Sequence, residues 1–253
     1  MIENLSYAAI IIGILTSGIR LATPYLYAAI GETFGQLSGV LNLGVEGMML
    51  MGAYAGFYAT YTTGNPWIGL IAAILVGVVM GLINAFISVT LKAEQGISGI
   101  GIYLFGLGMS DLLFQRTLGT VVPVSGFAPV KIPWLSDLPI VGQIFFNHNL
   151  LVYGAYALVP VAWFILNKTT WGLKIKAGWQ NPAAADSLGV SVDRVRYVSV
   201  CLLAALAGLA PFNVESGHWH GQRHIWGGRS RVRAALFSTI SRPSTHRSAT
   251  KSP

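Results

Sequence analysis

NKTTWGLKIKAGWQNPAAADSLGVSVDRVRY, residues 167–197, is a polar stretch between two apolar segments, and it carries a folding pattern of its own. Asn181 is a helix-capping residue, Pro182 fits the first helical position, Ala183, Ala184 and Ala185 favour helix, and Gly189 can close it. The pattern predicts a helix of about two turns, roughly 10 Å long. Lys168, Lys174, Lys176, Arg194 and Arg196 flank it, and basic residues in a short loop between spans put that loop in the cytoplasm. Ala184 and Leu188, four residues apart, share one side of the helix, with Asp186 and Ser187 turned elsewhere. A short, apolar-faced helix held at a membrane surface has the shape of a docking knob.

Composition supports the membrane on either side of this loop. Of 253 residues, 53% are hydrophobic and only 10% charged, and the mean hydropathy is +0.60, outside the usual soluble range. The fold class is therefore all-α: a polytopic helical membrane protein of about five to six spans. A net charge of +7 would suggest nucleic acid in a soluble protein. Here the charges are placed to set topology, and the expected contact is the lipid bilayer, with no nucleic acid. The single Cys201 excludes an intrachain disulfide and a thiolate metal cluster. Met1-Ile2-Glu3-Asn4 lacks the basic start of a signal peptide, so the first apolar run is expected to be a retained span.

The spans read as Tyr7–Ile30, Gly44–Tyr61, Pro66–Leu91, Ile97–Phe114 and Leu150–Leu166, each long enough for a hydrocarbon core of about 30 Å. Between the first two, Gly31–Leu43 is less apolar and is expected to be a short amphipathic or re-entrant element. The pairs Gly52/Gly56 and Gly77/Gly81 would let helix backbones approach closely. Gln115–Asn149 has Pro123, Pro129, Pro133 and Pro139 and few bases, and reads as an external segment with room for a surface helix. Alternation from residues 167–197 then puts the turn at Lys92 inside and the amino terminus outside. A sixth apolar segment, Val198–Pro211, looks too short to cross comfortably.

Two blocks carry a resemblance. Ala183, Ala184, Ala185 and Gly189 keep the spacing of the Glu-Ala-Ala-x3-Gly coupling helix that permease subunits of bacterial ABC importers dock on their ATPase, with Ala183 where the family has Glu. Trp171-Gly172-Leu173 through Asn181-Pro182 to Gly189 resembles the branch that imports nucleosides, simple sugars and branched-chain amino acids. Ser38-Gly39-Val40-Leu41-Asn42-Leu43-Gly44-Val45-Glu46-Gly47-Met48-Met49 is similar to the segment after the first span in the nucleoside and simple-sugar members. The resemblance covers about residues 10–210. It implies a multi-pass permease in the bacterial cytoplasmic membrane with three partners: a separate ATP-binding subunit, a second permease subunit and an extracytoplasmic substrate-binding protein. It also implies that Asn181, Pro182, Ala183, Ala184, Ala185, Asp186 and Gly189 form the ATPase-coupling element, and that the solute is a nucleoside or simple sugar.

Chemistry is sparse elsewhere. There is no G-x-x-x-x-G-K-[ST], HExxH or GxSxG, so no enzyme, cofactor or metal site is expected and energy must come from a partner or a gradient. An ion-gradient carrier is the alternative, and it needs membrane-embedded acids. The candidates for the translocation pathway are Arg20, Asn42, Glu46, Asn84 and Asp111. Each has a plainer reading. Arg20 can snorkel to an interface; Glu46, four after Asn42 on one helical face, can favour a helix start; Asn84 can hydrogen-bond a neighbouring helix; Asp111 can be neutralised by Arg116.

After Pro211 the character changes. Residues 211–253 are a basic tail with Arg223, Arg229, Arg231, Arg233, Arg242 and Arg247 and no acid after Glu215. His218, His220 and His224 have metal-like spacing but no fold to order them. Codons for Gly227–Arg233 read one nucleotide along can give Ala-Gly-Gly-Arg-Gly-Phe, similar to a turn of the family. The tail is therefore expected to be disordered and non-native, a frameshift product that truncates a 1–210 membrane domain.

Overall fold

The computed structural model describes residues 2–117, 127, 129–131 and 144–213. In chain order the helices are α1 (Ile2–Leu37), α2 (Val45–Thr63), α3 (Pro66–Ala85), α4 (Gln95–Thr117), α5 (Leu150–Lys168), α6 (Thr170–Gln180), α7 (Pro182–Ser187) and α8 (Val192–Leu209). Strands β1 (Pro129–Lys131) and β2 (Asn147–Asn149) pair antiparallel between α4 and α5. Surface-helix positions in 132–143, and the tail from residue 214 with His218, His220 and His224, lie outside the described residues.

Among the described residues, five helices are long and apolar enough to cross a membrane: Ile10–Leu37, Pro66–Thr90, Gln95–Thr117, Leu150–Lys168 and Val192–Phe212. The chain is a multi-pass helical membrane protein. The remaining helix of spanning length, α2, has 19 residues and packs among α3, α4 and α8. Around the outside, Ile14, Leu75 and Trp163 are more than half exposed, as side chains facing lipid should be.

Two expectations about span ends are corrected. The first helix does not stop at Ile30; it runs through Glu32 and Gln36 to Leu37, so Gly31–Leu37 is helix and only residues 38–44 form the connection. Hydropathy falls there while helical hydrogen bonding goes on, with Gln36 Nε2 donating to Glu32 Oε1 one turn back, 3.1 Å. Likewise the last segment is not too short. Its helix begins six residues before Val198, at Val192, because Asp193, Arg194 and Arg196 form polar first turns that extend it toward residue 191. At 21 residues, Val192–Phe212 spans about 32 Å.

The centre of the bundle is α8. Its apolar window is 56% buried, against 17–33% for the other four candidate spans. Small residues make this possible: a Cβ placed on Gly52 would lie 2.4 Å from the Gly208 carbonyl oxygen, and one on Gly77 would lie 2.3 Å from that of Ala204. Backbones of α2, α3 and α8 therefore touch directly, the packing that holds helices together where lipid supplies no hydrophobic drive. Met48, Met80, Ile102, Leu203, Ala204 and Ala207 fill the space around this contact. Nearer the end that carries α6 and α7, Ile30, Phe34, Ala162, Leu166, Ile175 and Val195 join α1, α5, α6 and α8 in a second cluster.

At the end of α3 the helix widens into a π turn, Phe86–Thr90, closed by the Leu91 N–H on the Phe86 carbonyl (3.0 Å). Such widened turns occur often at functional sites.

Candidate coupling and pathway sites

The loop of residues 167–197 folds as its sequence predicts, with one addition. Thr169 caps α6, its hydroxyl accepting from Gly172 N at 3.2 Å. Gly172 allows this sharp turn, since a Cβ there would lie 2.4 Å from the carbonyl oxygens of Ile165 and Leu166. The helix α6 was not expected from the sequence, and Ile175, fully buried, anchors it to the bundle.

Asn181 closes α6 and opens α7 at once. Its N–H donates to Ala177 O (3.0 Å) and its Oδ1 accepts from Ala184 N (3.1 Å). Pro182 follows at the first helical position. Gly189, at φ +83, ends the helix, with Gly189 N donating to Asp186 O and Val190 N to Ala185 O. Ala185 is buried at 3%, while Ala183, Ala184 and Asp186 are exposed and Leu188 is 84% exposed. The result is a short, capped helix whose tip offers an apolar side chain to the outside; Trp179 and Leu173 of α6 are exposed as well.

The five pathway candidates fall into different hydrogen-bond settings. Asn42 is buried in the turn before α2, where its Oδ1 accepts from Gly44 N (2.9 Å) and its N–H donates to Glu32 Oε1 (3.3 Å). Since α2 begins at Val45, Asn42 and Glu46 do not share a helical face; Glu46 is exposed in the first turn, at the favourable end of the macrodipole. Asn84, 1% exposed on α3, accepts from Ser88 Oγ at 3.5 Å, and Ser88 in turn meets Ser98 of α4 at 3.3 Å. Its Nδ2 has no partner among the described residues. Asp111 is half-buried on α4. Arg20 is half-buried on α1, close enough to His148 of β2 for its charge to act on that imidazole.

His148 was not singled out by its sequence, because one histidine in a Pro-rich segment carries no pattern. It is 2% exposed, with Nε2 2.7 Å from the Ile144 carbonyl, so Nε2 carries the proton; Nδ1 has no partner among the described residues. Burial, reinforced by the Arg20 charge, pushes its pKa below the ordinary value and keeps it neutral, against the weaker opposing pull of the Ile144 bond.

Residues 14–212 match the permease component of the branched-chain amino acid transport system. The chain belongs to that family. Among curated relatives, it is 39% identical over 210 residues to the putative glucose ABC transporter permease protein TsgC13 of Haloferax volcanii, covering 81% of this chain and 62% of the relative. It is 34% identical over 202 residues to the guanosine ABC transporter permease protein NupQ of Bacillus subtilis, covering 74% and 62%. It is 30% identical over 199 residues to the nucleoside ABC transporter permease protein NupC of Lactococcus lactis, also 74% and 62%. The chain thus spans a little under two thirds of these permeases. No solved structure matches it. A second family, the IS116/IS110/IS902 transposases, matches residues 181–252, so the two likenesses overlap across α7 and α8 and only the transposase likeness continues beyond 212.

Proposed function

We propose that residues up to 212 serve as a membrane subunit of an ATP-driven importer for a nucleoside or simple sugar in the bacterial cytoplasmic membrane. In this reading α7 docks on a separate ATP-binding subunit, a second permease subunit completes the pathway, and a binding protein outside delivers the solute. The observation that carries it is Leu188, 84% exposed at the tip of a helix capped at both ends. An apolar side chain displayed on a rigid knob loses free energy in water and regains it in a partner's cleft. The names of the relatives support the solute class, and the match of the permease family across residues 167–197 supports the permease role.

Motion of the ATPase would reach the bilayer through α7 and tip the spans between two packings, the two-state element that coupling requires. The test is co-purification from membranes with a co-expressed ATP-binding subunit of an ABC importer. Leu188→Asp should abolish it while leaving the permease in the membrane at normal yield; retention of the subunit by Leu188→Asp overturns the docking role. Solute flux that persists without nucleotide hydrolysis would favour the gradient-driven alternative.

The tail is read differently from the frameshift expected above. A transposase likeness in the present reading frame gives residues after 212 a source other than shifted permease codons. They are foreign to the permease, joined to it within or just after α8. Sequencing genomic DNA through the codon for Pro211 decides the matter. Transposase-like sequence running on supports the join, and permease sequence resuming in another frame restores the frameshift.

A further inference from the structure

We propose that Arg196 is a positioning residue that latches the α1–α2 turn to the helix leaving the docking loop, so that α8 carries movement of α7 to the cytoplasmic ends of α1 and α3. The inference rests on the reading of α7 as the docking helix.

The end of α1 shows why a latch is needed. Val40 N donates to Gly35 O (3.1 Å) and Gly39 N to Gln36 O (3.0 Å), with Gly39 left-handed at φ +89. This closure satisfies the last N–H groups of the turn and leaves the carbonyls of Ser38 and Gly39 without helical partners. Both are taken by side chains from elsewhere in the chain. Arg196 Nε on α8 donates to Ser38 O, and Gln95 Nε2 at the start of α4 donates to Gly39 O, each at 3.3 Å. Gln95 Oε1 also accepts from Leu41 N at 2.9 Å. The turn is thus held from outside itself, by α8 and α4.

The neighbouring residue makes a parallel connection. The Tyr197 hydroxyl hydrogen-bonds Thr90, the last residue of the π turn that ends α3. Two consecutive side chains of α8 therefore reach the cytoplasmic ends of two different spans. The link back to α7 is short and stiff: Val190 N is bonded to Ala185 O and Val195 N to Ser191 O, with Val192 and Val195 both 8% exposed. Coupling over a distance requires a continuous packed and bonded path of this kind.

Cytoplasmic basic residues need no specific partner to set topology. Arg194 fits that plain role, being exposed, whereas Arg196 is half-buried with its Nε aimed at a backbone oxygen. A charged donor on a carbonyl is stronger than a neutral one, and the fixed guanidinium plane directs it.

The test places spin labels on the whole chain in lipid nanodiscs, in a Cys201→Ala background. One pair, Leu41→Cys with Leu188→Cys, spans the latch; the other, Val161→Cys with Leu188→Cys, does not. Arg196→Met should broaden the distance distribution of the first pair and leave the second narrow, and Arg196→Lys, which keeps a charged donor, should restore much of the narrowness. An unchanged first pair, or equal broadening of both, overturns the latch. In the complex with the co-purified ATP-binding subunit, nucleotide should shift the distance between labels at Leu41 and Val161 in the parent and leave it fixed in Arg196→Met. A shift that survives the substitution overturns transmission through Arg196. Failure to form the complex counts against docking at α7 alone, because the partner-free measurement still decides the latch.

Discussion

Gly39 sits where a side chain meets two costs together. Its φ of +89 is a region that L residues enter at a cost of about 1–2 kcal/mol. A Cβ would also lie 3.2 Å from Trp179 Cε3 and 3.4 Å from Arg196 Nη2. Gly39→Ala should therefore lower the thermal midpoint in detergent and disturb the α1–α2 turn, whereas Gly64→Ala, also at positive φ but with open space around it, should show only the backbone cost. His148 makes the second prediction at this scale. Its folded pKa is depressed below the ordinary 6.5. The unfolded chain thus binds the extra proton first, and stability is lost as pH falls from the unfolded pKa toward the folded one. A proton on Nδ1 would also find no acceptor among the described residues. Acidification below about 6.5 should loosen the β1–β2 hairpin, read as faster amide exchange there, and His148→Asn should remove the pH dependence. Asn181, Pro182 and Gly189 were legible in the sequence because each acts on residues within four positions. Arg196 and Gly39 were not, since the Arg196 partner lies 158 residues away and the two meet only after α1 and α8 have packed.

Helices were easier to locate than to delimit. Apolar runs marked the long helices, but polar residues hid the last turns of α1 and the first turns of α8. In both places charged residues continue a helix beyond the lipid, and hydropathy alone stops at the interface. The small-residue spacing was more informative than it looked. Gly52 and Gly77 were read as sites of close approach, and Gly208, outside either pair, proves to be their common partner: a Cβ on it would lie 2.5 Å from the Ala73 carbonyl. Gly208→Leu should therefore push α8 away from both α2 and α3. Overpacking of a tight core costs about 1–3 kcal/mol, and at a backbone-to-backbone contact the side chain has no room to relax. The expected outcome is a lower yield of monodisperse protein after size-exclusion chromatography. Gly13→Leu, with nothing within 4 Å, serves as the tolerated control.

Taken as a whole, the molecule gathers three of its connections at one end, and that arrangement can be checked without the partners. The bonds from Arg196 to Ser38 and from Tyr197 to Thr90 tie the α1–α2 turn, the α3–α4 turn and the docking loop to one end of the bundle. The α2–α3 turn at Thr63 and Gly64 belongs to the other end, because α2, of 19 residues, and α3, of 20, run between them. In a Cys201→Ala background, Leu188→Cys, Lys92→Cys and Thr63→Cys each place a thiol at an exposed position. A membrane-impermeant maleimide added to intact cells should label Thr63→Cys and spare the other two until the membrane is opened. The basic residues at 168, 174, 176, 194 and 196 set this expectation, since positive charge stays inside. If Lys92→Cys and Leu188→Cys label from opposite sides, the bundle is not packed as described. If both label from outside, the packing stands but α7 faces away from every cytoplasmic ATPase, and the docking role falls with it.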